Sequence, residues 1–163
     1  IETGVKALRG CRTIFTDANM IRAGISLARL RGVCGFYRRE SVICHVADAD
    51  VARSARKSSL PRSLHAARKA RPLLDGAICV IGNAPVALME ISRMIIEEEL
   101  RPSLVIAVPV GFVHVTESKE ELMSLGLPYI ATTGRRGGSP LAVSIIHALC
   151  GLAVEAGEGE TSV

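Results

Sequence analysis

The chain has 163 residues, of which 48% are apolar and 3% aromatic, and it carries a formal net charge of +4 without any Trp. A chain of this length can bury the core of one domain, and the scarcity of aromatic stacking platforms argues against nucleic-acid binding. Its longest apolar runs are strand-sized, and no signal peptide or lipidation motif is recognisable. We therefore expect a cytoplasmic protein without a membrane-spanning segment.

The predicted elements alternate between helices and short apolar strands. Residues 2–10 form the end of a predicted helix that stops at Gly10. Five continuous apolar runs are typical of parallel strands covered on both faces, at 12–17, 41–46, 77–82, 103–110 and 128–133. Further helical patterns lie at 18–30, 48–57, 63–71, 85–100, 117–125 and 139–153. This order predicts an α/β fold, a doubly wound, mainly parallel five-stranded sheet with helices on both faces, in a single domain 1–153 with a flexible tail at 154–163.

The five cysteines form no recognisable pattern, because their number is odd and no C-x-x-C pair is present. Cys11, Cys44 and Cys79 lie in or beside apolar runs. We therefore expect small buried thiols rather than a disulfide framework or a zinc site.

The segment 131–140, ATTGRRGGSP, connects the last predicted strand to the last predicted helix. Ser139 is a candidate N-cap and Pro140 suits a first helical position, so the loop leads into a helix N-terminus with free amide donors. Glycines there let the backbone approach a ligand closely, and guanidinium groups add bidentate hydrogen bonds. The loop supplies both, as Arg135, Arg136, Gly137 and Gly138. It therefore predicts a site for a carboxylate or a phosphate, with a solvated Arg pair on a surface turn as the alternative.

The remaining candidates for chemistry are dispersed. Asp17 follows the first strand, and His45 and His114 follow the second and the fourth, at the edge of a parallel sheet where ligands bind. His65 lies among basic residues, and His147 lies on an apolar helix face. No nucleophile–base pair and no metal-ligand spacing is evident, so we expect no metal site.

Four segments together resemble one family. They are TDANMIRAGI (16–25), GNAPVAL (82–88), PVGFVHVTESK (109–119) and LPYIATTGRRGGSP (127–140). In this order they resemble the precorrin-8X methylmutase family, including its cobalt-precorrin-8 branch, over nearly the whole chain. The resemblance implies a cofactor-free isomerase of cobalamin (vitamin B12) biosynthesis that moves a methyl group between adjacent carbons of a tetrapyrrole and yields hydrogenobyrinic or cobyrinic acid. It also implies a homodimer whose active sites lie at the subunit interface.

The resemblance also implies which residues bind the substrate, a flat macrocycle edged with acetate and propionate carboxylates. LPRSLHAARKA (60–70) matches the family's Thr-Arg-Ser motif except that Pro61 replaces Thr, and His114 stands where the family usually has a small residue. The substrate-binding candidates are Arg62, Ser63, Asn83, Gly111, Phe112, His114, Ser118, Lys119, Arg135, Gly137, Gly138 and Ser139. An Arg-rich, Gly-lined rim around an apolar cleft would complement such a substrate.

The family's catalytic His has no counterpart in this chain, because the resemblance places it in a helical segment upstream of Ile1. We therefore expect the chain to lack the family's N-terminal segment, and the catalytic residue stays unassigned. One alternative function is a non-catalytic tetrapyrrole- or corrinoid-binding protein on the same scaffold. A weaker alternative is a nucleotide-binding α/β protein that uses GRRGGSP for phosphate. The motifs do not decide whether the substrate carries cobalt.

Overall fold

A computed structural model describes residues 1–160 as a five-stranded, all-parallel sheet in the order β2-β1-β3-β4-β5. The strands are β1 (Ile14–Thr16), β2 (Val42–Ile43), β3 (Ile78–Ile81), β4 (Leu104–Ala107) and β5 (Tyr129–Ala131). This confirms the predicted fold class. The strands are shorter than the apolar runs that predicted them, because the runs also include the apolar residues that lead into and out of each strand.

The helices occupy the connections between strands and both ends of the described chain. They are α1 (Glu2–Arg9), α2 (Asn19–Gly24), α3 (Leu27–Val33), α4 (Ala49–Ser58), α5 (Arg62–Ala70), α6 (Pro85–Glu97), α7 (Val115–Ser124) and α8 (Ser139–Glu160). Side chains alternate across the sheet, so each strand supplies two core layers. One layer packs against α1, α2, α3 and α8, and the other packs against α5, α6 and α7.

The helix predicted at 18–30 is divided in the structure into α2 and α3. Ser26 causes the division, because its hydroxyl accepts a hydrogen bond from the Arg29 amide and caps α3. The Ser26 amide itself donates to Nε2 of His147 on α8, at 3.0 Å. The break therefore depends on a residue 121 positions away, which local periodicity does not reveal.

The cysteine prediction is wrong for two residues, because Cys11 and Cys34 form a disulfide. Cys11 has a left-handed backbone (φ 51°) at the end of α1, which turns it toward the end of α3, where Cys34 follows. Their proximity arises from tertiary packing of the two helix ends. The other three cysteines, Cys44, Cys79 and Cys150, are free and buried, as expected.

The last helix, α8, differs from its prediction in length and in apolar character. It continues to Glu160 instead of ending at 153, so 154–160 of the predicted tail is helical, and 161–163 lies outside the described residues. Contrary to the sequence expectation, the stretch Ser139–Gly157 is long and apolar enough to cross a membrane, with a mean hydropathy of 1.6. About 28% of this stretch is buried, and its buried side chains, among them Ala142, Ile146 and Leu149, pack in the core.

Candidate functional site

The loop between β5 and α8 lies at the carboxyl edge of the sheet. The Gly138 carbonyl accepts the first helical hydrogen bond, from the Ala142 amide at 3.0 Å, so Gly138 occupies the N-cap position. Ser139 is therefore the first helical residue rather than the cap that the sequence predicted, and Pro140 follows it. The shift leaves the Ser139 amide as a donor at the helix N-terminus, where anions bind.

Gly137 and Gly138 press this loop against the end of β4. A Cβ at Gly137 would lie 2.1 Å from the Val108 carbonyl oxygen, so no larger residue fits there. Gly138 has φ 126° and donates its amide to the same oxygen at 2.8 Å. Both glycines are required by the backbone path, and they fix the position of the α8 N-terminus relative to the sheet.

Lys119 supports the loop from inside the protein. Its side chain is 1% exposed, and Nζ donates to Thr132 Oγ1 and to the carbonyl oxygens of Gly134 and Arg136, at 2.8–2.9 Å. Burial lowers the pKa of the Lys119 ammonium. Its neighbour Ser118 is also buried and donates to the Val115 carbonyl oxygen. Both were predicted to contact the substrate; Lys119 holds the loop in shape, whereas the hydroxyl of Ser118 bonds within α7.

Arg135 and Phe112 form an exposed rim beside the loop. The Arg135 guanidinium carbon lies 5.5 Å from the centroid of the Phe112 ring, a cation–π geometry. Phe112 is 83% exposed and follows Gly111, whose φ of 139° turns the segment outward. Arg136 is exposed as well, but Lys119 holds its backbone carbonyl. The rim therefore presents a fixed positive charge next to a flat apolar surface.

A groove of about 360 Å³ lies between α5, α6 and α7, and its charged lining residues are Glu90, Arg93 and Glu121. His114, in a left-handed conformation (φ 56°), lines it together with Leu64 of α5 and Glu90 of α6. Arg62 and Ser63 begin α5, and Arg62 is exposed. Of the two basic motifs, the one at the start of α5 is the nearer in sequence to this groove, through Leu64.

Asp17 was named from the sequence at the ligand-binding edge of the sheet but not among the substrate-binding candidates. Its carboxylate is 1% exposed and accepts the amides of Gly82, Asn83 and Ala84 at 3.0, 2.9 and 2.6 Å. Burial raises the pKa of Asp17, and the three amides oppose that shift. The amides at the start of α6 are therefore occupied by a carboxylate of the protein itself. The Asn83 side chain is exposed beside them, and no hydrogen bond of it is recorded within residues 1–160. An Asp directly after a buried strand, opposite a Gly-Asn turn, was the available signal.

The four histidines do not converge on the rim. His45 Nδ1 contacts Asp48 at 2.9 Å, and His65 Nε2 contacts Ser58 Oγ at 2.7 Å. His147 is half-buried, its Nε2 accepts the Ser26 amide, and burial lowers its pKa. His114 alone lines the groove. In the described part of the chain no group of three or more His, Cys, Asp or Glu could hold a metal ion.

The comparisons with known proteins agree with this geometry. Residues 1–152 match the family model described as CbiC, precorrin-8X methylmutase. The chain belongs to the precorrin-8X methylmutase family. The resemblance seen in the four sequence segments is thereby confirmed.

Several named methylmutases support the assignment. The cobalt-precorrin-8 methylmutase of Methanocaldococcus jannaschii is 41% identical over 149 residues, which cover 91% of this chain and 65% of the relative. The cobalt-precorrin-8 methylmutase of Leptospira interrogans is 40% identical over a match that covers 97% of this chain and 73% of the relative. The solved precorrin-8X methylmutase of Thermus thermophilus superposes with a TM-score of 0.82 at 40% identity, over 96% of this chain and 74% of that one. The chain thus spans about two thirds to three quarters of the length of these relatives.

Proposed function

We propose that the chain binds precorrin-8X or cobalt-precorrin-8 and serves the methyl shift that converts it into hydrogenobyrinic or cobyrinic acid in cobalamin biosynthesis. The single observation that carries this proposal is the family match over residues 1–152. The site geometry supports it, because the amides at the start of α6 are filled by Asp17, whereas no hydrogen bond of the Ser139 amide is seen within residues 1–157.

The proposed binding mode follows from the chemistry of the rim. Arg135 and the Ser139 amide would receive one peripheral carboxylate, and Arg62 would receive another. The exposed ring of Phe112 would lie against the flat macrocycle. Asn83 would donate its side-chain amide to a ring substituent. Lys119 would keep the loop in place.

The reaction itself needs little chemistry from the protein. One carbon–carbon bond to the methyl group breaks and another forms on the adjacent ring carbon, so no oxidant or reductant is consumed. The protein must supply one proton to the ring system and hold the rearranging conformer. None of the four histidines matches the family's proton-donating His, so the groups described above bind and orient the substrate.

Binding and turnover test the proposal separately. We expect the 163-residue chain to bind hydrogenobyrinic acid, seen as a change in its visible absorbance, and to convert precorrin-8X slowly or not at all. A missing general acid lowers a rate by about 10²–10⁴-fold. Assays with the cobalt-containing and cobalt-free substrates in parallel show which one is preferred. A chain that binds neither the acid nor either substrate would contradict the proposal.

The second candidate is a non-catalytic corrinoid-binding protein. It is favoured by one observation, that His45, His65 and His147 are hydrogen-bonded to Asp48, Ser58 and Ser26, away from the rim. A single-turnover experiment with protein in excess over precorrin-8X separates the two. Slow but complete conversion identifies the isomerase, whereas tight binding without any conversion identifies the carrier.

We also propose that the protein works as a cytoplasmic homodimer with the site at the subunit interface. The basis is the family resemblance together with the exposed apolar side chains of α8, which include Leu141, Leu152 and Val154. That nucleic acid and membranes are not partners remains an expectation, although the apolar length of Ser139–Gly157 removes the argument from run length.

A further inference from the structure

One segment of the chain has an extreme charge bias. Between residues 51 and 74 the sequence contains seven Lys or Arg residues and no Asp or Glu. This segment forms most of α4, the turn after it and all of α5. In the fold the seven cations divide into two groups, those that form ion pairs and those that do not.

The three cations at the end of α5 and just beyond it are neutralised by acids from elsewhere in the chain. Arg68 pairs with Glu90 at 3.0 Å, and Lys69 pairs with Asp48 at 2.7 Å. Arg71 pairs with Asp75 and with Glu98, at 2.9 and 3.0 Å. This end of the charged segment therefore has a structural explanation.

The four earlier cations have no such partner. Arg53, Arg56, Lys57 and Arg62 are exposed, and no ion pair or hydrogen bond of their side chains is recorded within residues 1–160. Arg53, Arg56 and Lys57 are spaced i, i+3 and i+4, so they lie on one face of α4. We name these three residues the basic stripe.

A tight turn keeps the basic stripe close to Arg62. Ser59 has a left-handed backbone (φ 57°) that reverses the chain between α4 and α5. Ser58 Oγ donates to the Ser54 carbonyl oxygen, accepts from the Leu60 amide and contacts His65 Nε2. The hairpin is thus held by specific bonds despite mutual repulsion of its charges, and Leu64 on its second helix lines the groove that leads to His114.

The helix dipole explains only part of this arrangement. Cations in the last turn of a helix stabilise it, and Arg56 and Lys57 are so placed in α4. Arg53 lies in the middle of α4, where that effect has faded. If the basic stripe served only to stabilise α4, removing its charges would lower the free energy of unfolding. That quantity can be measured separately from binding.

We propose that the basic stripe is an electrostatic capture surface for the polycarboxylate tetrapyrrole. This inference rests on the proposed function, since it assigns the stripe to the same substrate. The substrate carries several carboxylates, and the four exposed cations of the hairpin form a positive patch that raises the rate of encounter with such an anion. The basic stripe raises the association rate of the substrate, whereas Arg62 and Arg135 slow its dissociation by direct contact.

Stopped-flow association of hydrogenobyrinic acid tests this proposal with two variants of equal charge. The stripe variant carries Arg53→Gln, Arg56→Gln and Lys57→Gln. The control variant carries Lys6→Gln, Arg29→Gln and Arg38→Gln, three exposed cations on or next to α1 and α3, against the other core layer. At low salt we expect the stripe variant to associate about tenfold more slowly than the unmodified protein, with koff unchanged and the control close to the unmodified protein. The difference should vanish near 1 M salt, where the Debye length is about 3 Å.

A second probe, the same macrocycle with its carboxylates converted to amides, should associate equally fast with all three proteins. Equal slowing of both variants with the acid would overturn the proposal in favour of a general charge effect. Faster dissociation from the stripe variant would mean direct contact instead of capture. If the stripe variant unfolds at lower urea concentration but associates at an unchanged rate, the basic stripe stabilises α4 and does not capture the substrate. If the unmodified protein does not bind the acid, the proposed function fails, and the capture surface fails with it.

Discussion

Asp17 is the residue whose substitution should connect stability with binding. Asp17→Asn places an NH₂ group against at least one of the three amides that the carboxylate now accepts. Leaving a buried donor unsatisfied costs about 1–3 kcal/mol, and the turn that carries Asn83 loses its anchor. We expect a lower urea midpoint and weaker binding of hydrogenobyrinic acid. Asp50→Asn, which removes an exposed carboxylate paired with Lys69, is the control and should change neither. Unchanged binding in Asp17→Asn would show that this turn is not part of the site.

Arg135 should contribute more to binding than its neighbour Arg136. A charge-assisted hydrogen bond is worth roughly 1.5–3 kcal/mol, so Arg135→Ala and Arg62→Ala should each weaken binding by about ten- to a hundred-fold without unfolding the protein. Arg135→Lys keeps the charge and loses the bidentate geometry, so it should restore part of the loss. Titration of hydrogenobyrinic acid, followed by visible absorbance, measures these effects. A larger loss in Arg136→Ala than in Arg135→Ala would displace the anion site from its proposed position.

At the scale of elements, the disulfide connects the end of α1 to the end of α3 across 23 positions. In the chain-entropy account such a crosslink is worth about 2–4 kcal/mol, because it restricts the unfolded chain. We expect Cys11→Ser/Cys34→Ser to unfold at lower urea concentration by that amount. Thiol titration in denaturant without reductant should find three free thiols, from Cys44, Cys79 and Cys150, and five after reduction. Five thiols before reduction would show that the bridge does not form in solution.

The elements that the sequence predicted well are those with a local cause. Continuous apolar runs such as 77–82 predict buried parallel strands, because both faces of the sheet are covered. The division of 18–30 into two helices and the Cys11–Cys34 bridge depend on residues that meet only in the fold. The site shows the same contrast. The loop 131–140 was predictable from its glycines and arginines, whereas the internal position of Lys119 required knowledge of which carbonyl oxygens surround it.

For the whole molecule we expect a dimer that uses the exposed face of α8. Leu152 is 41% exposed on this helix, and burying such an apolar face between two copies would remove it from water. Light scattering at micromolar concentration should give twice the mass of one chain, and Leu152→Glu should shift the protein toward the monomer. Leu73→Glu, a substitution at a residue 52% exposed on the opposite side of the sheet, is the matched control. A monomeric unmodified protein, or one that sediments with lipid vesicles, would contradict the dimer.

The position of β1 inside the sheet has a consequence for how the protein folds. β1 pairs with β3, and the bond from Gly82 to Asp17 joins residues 65 positions apart, whereas β3, β4 and β5 follow one another along the chain. Closing a longer loop costs more entropy, and distant pairings slow folding. The half of the sheet made of β3, β4 and β5 should therefore form first, and residues 1–48 should dock onto it later. In pulse-labelled hydrogen exchange during refolding, amides of β3 and β4 should gain protection before those of β1. Simultaneous protection of all strands would instead indicate a folding nucleus that already contains the β1–β3 pair.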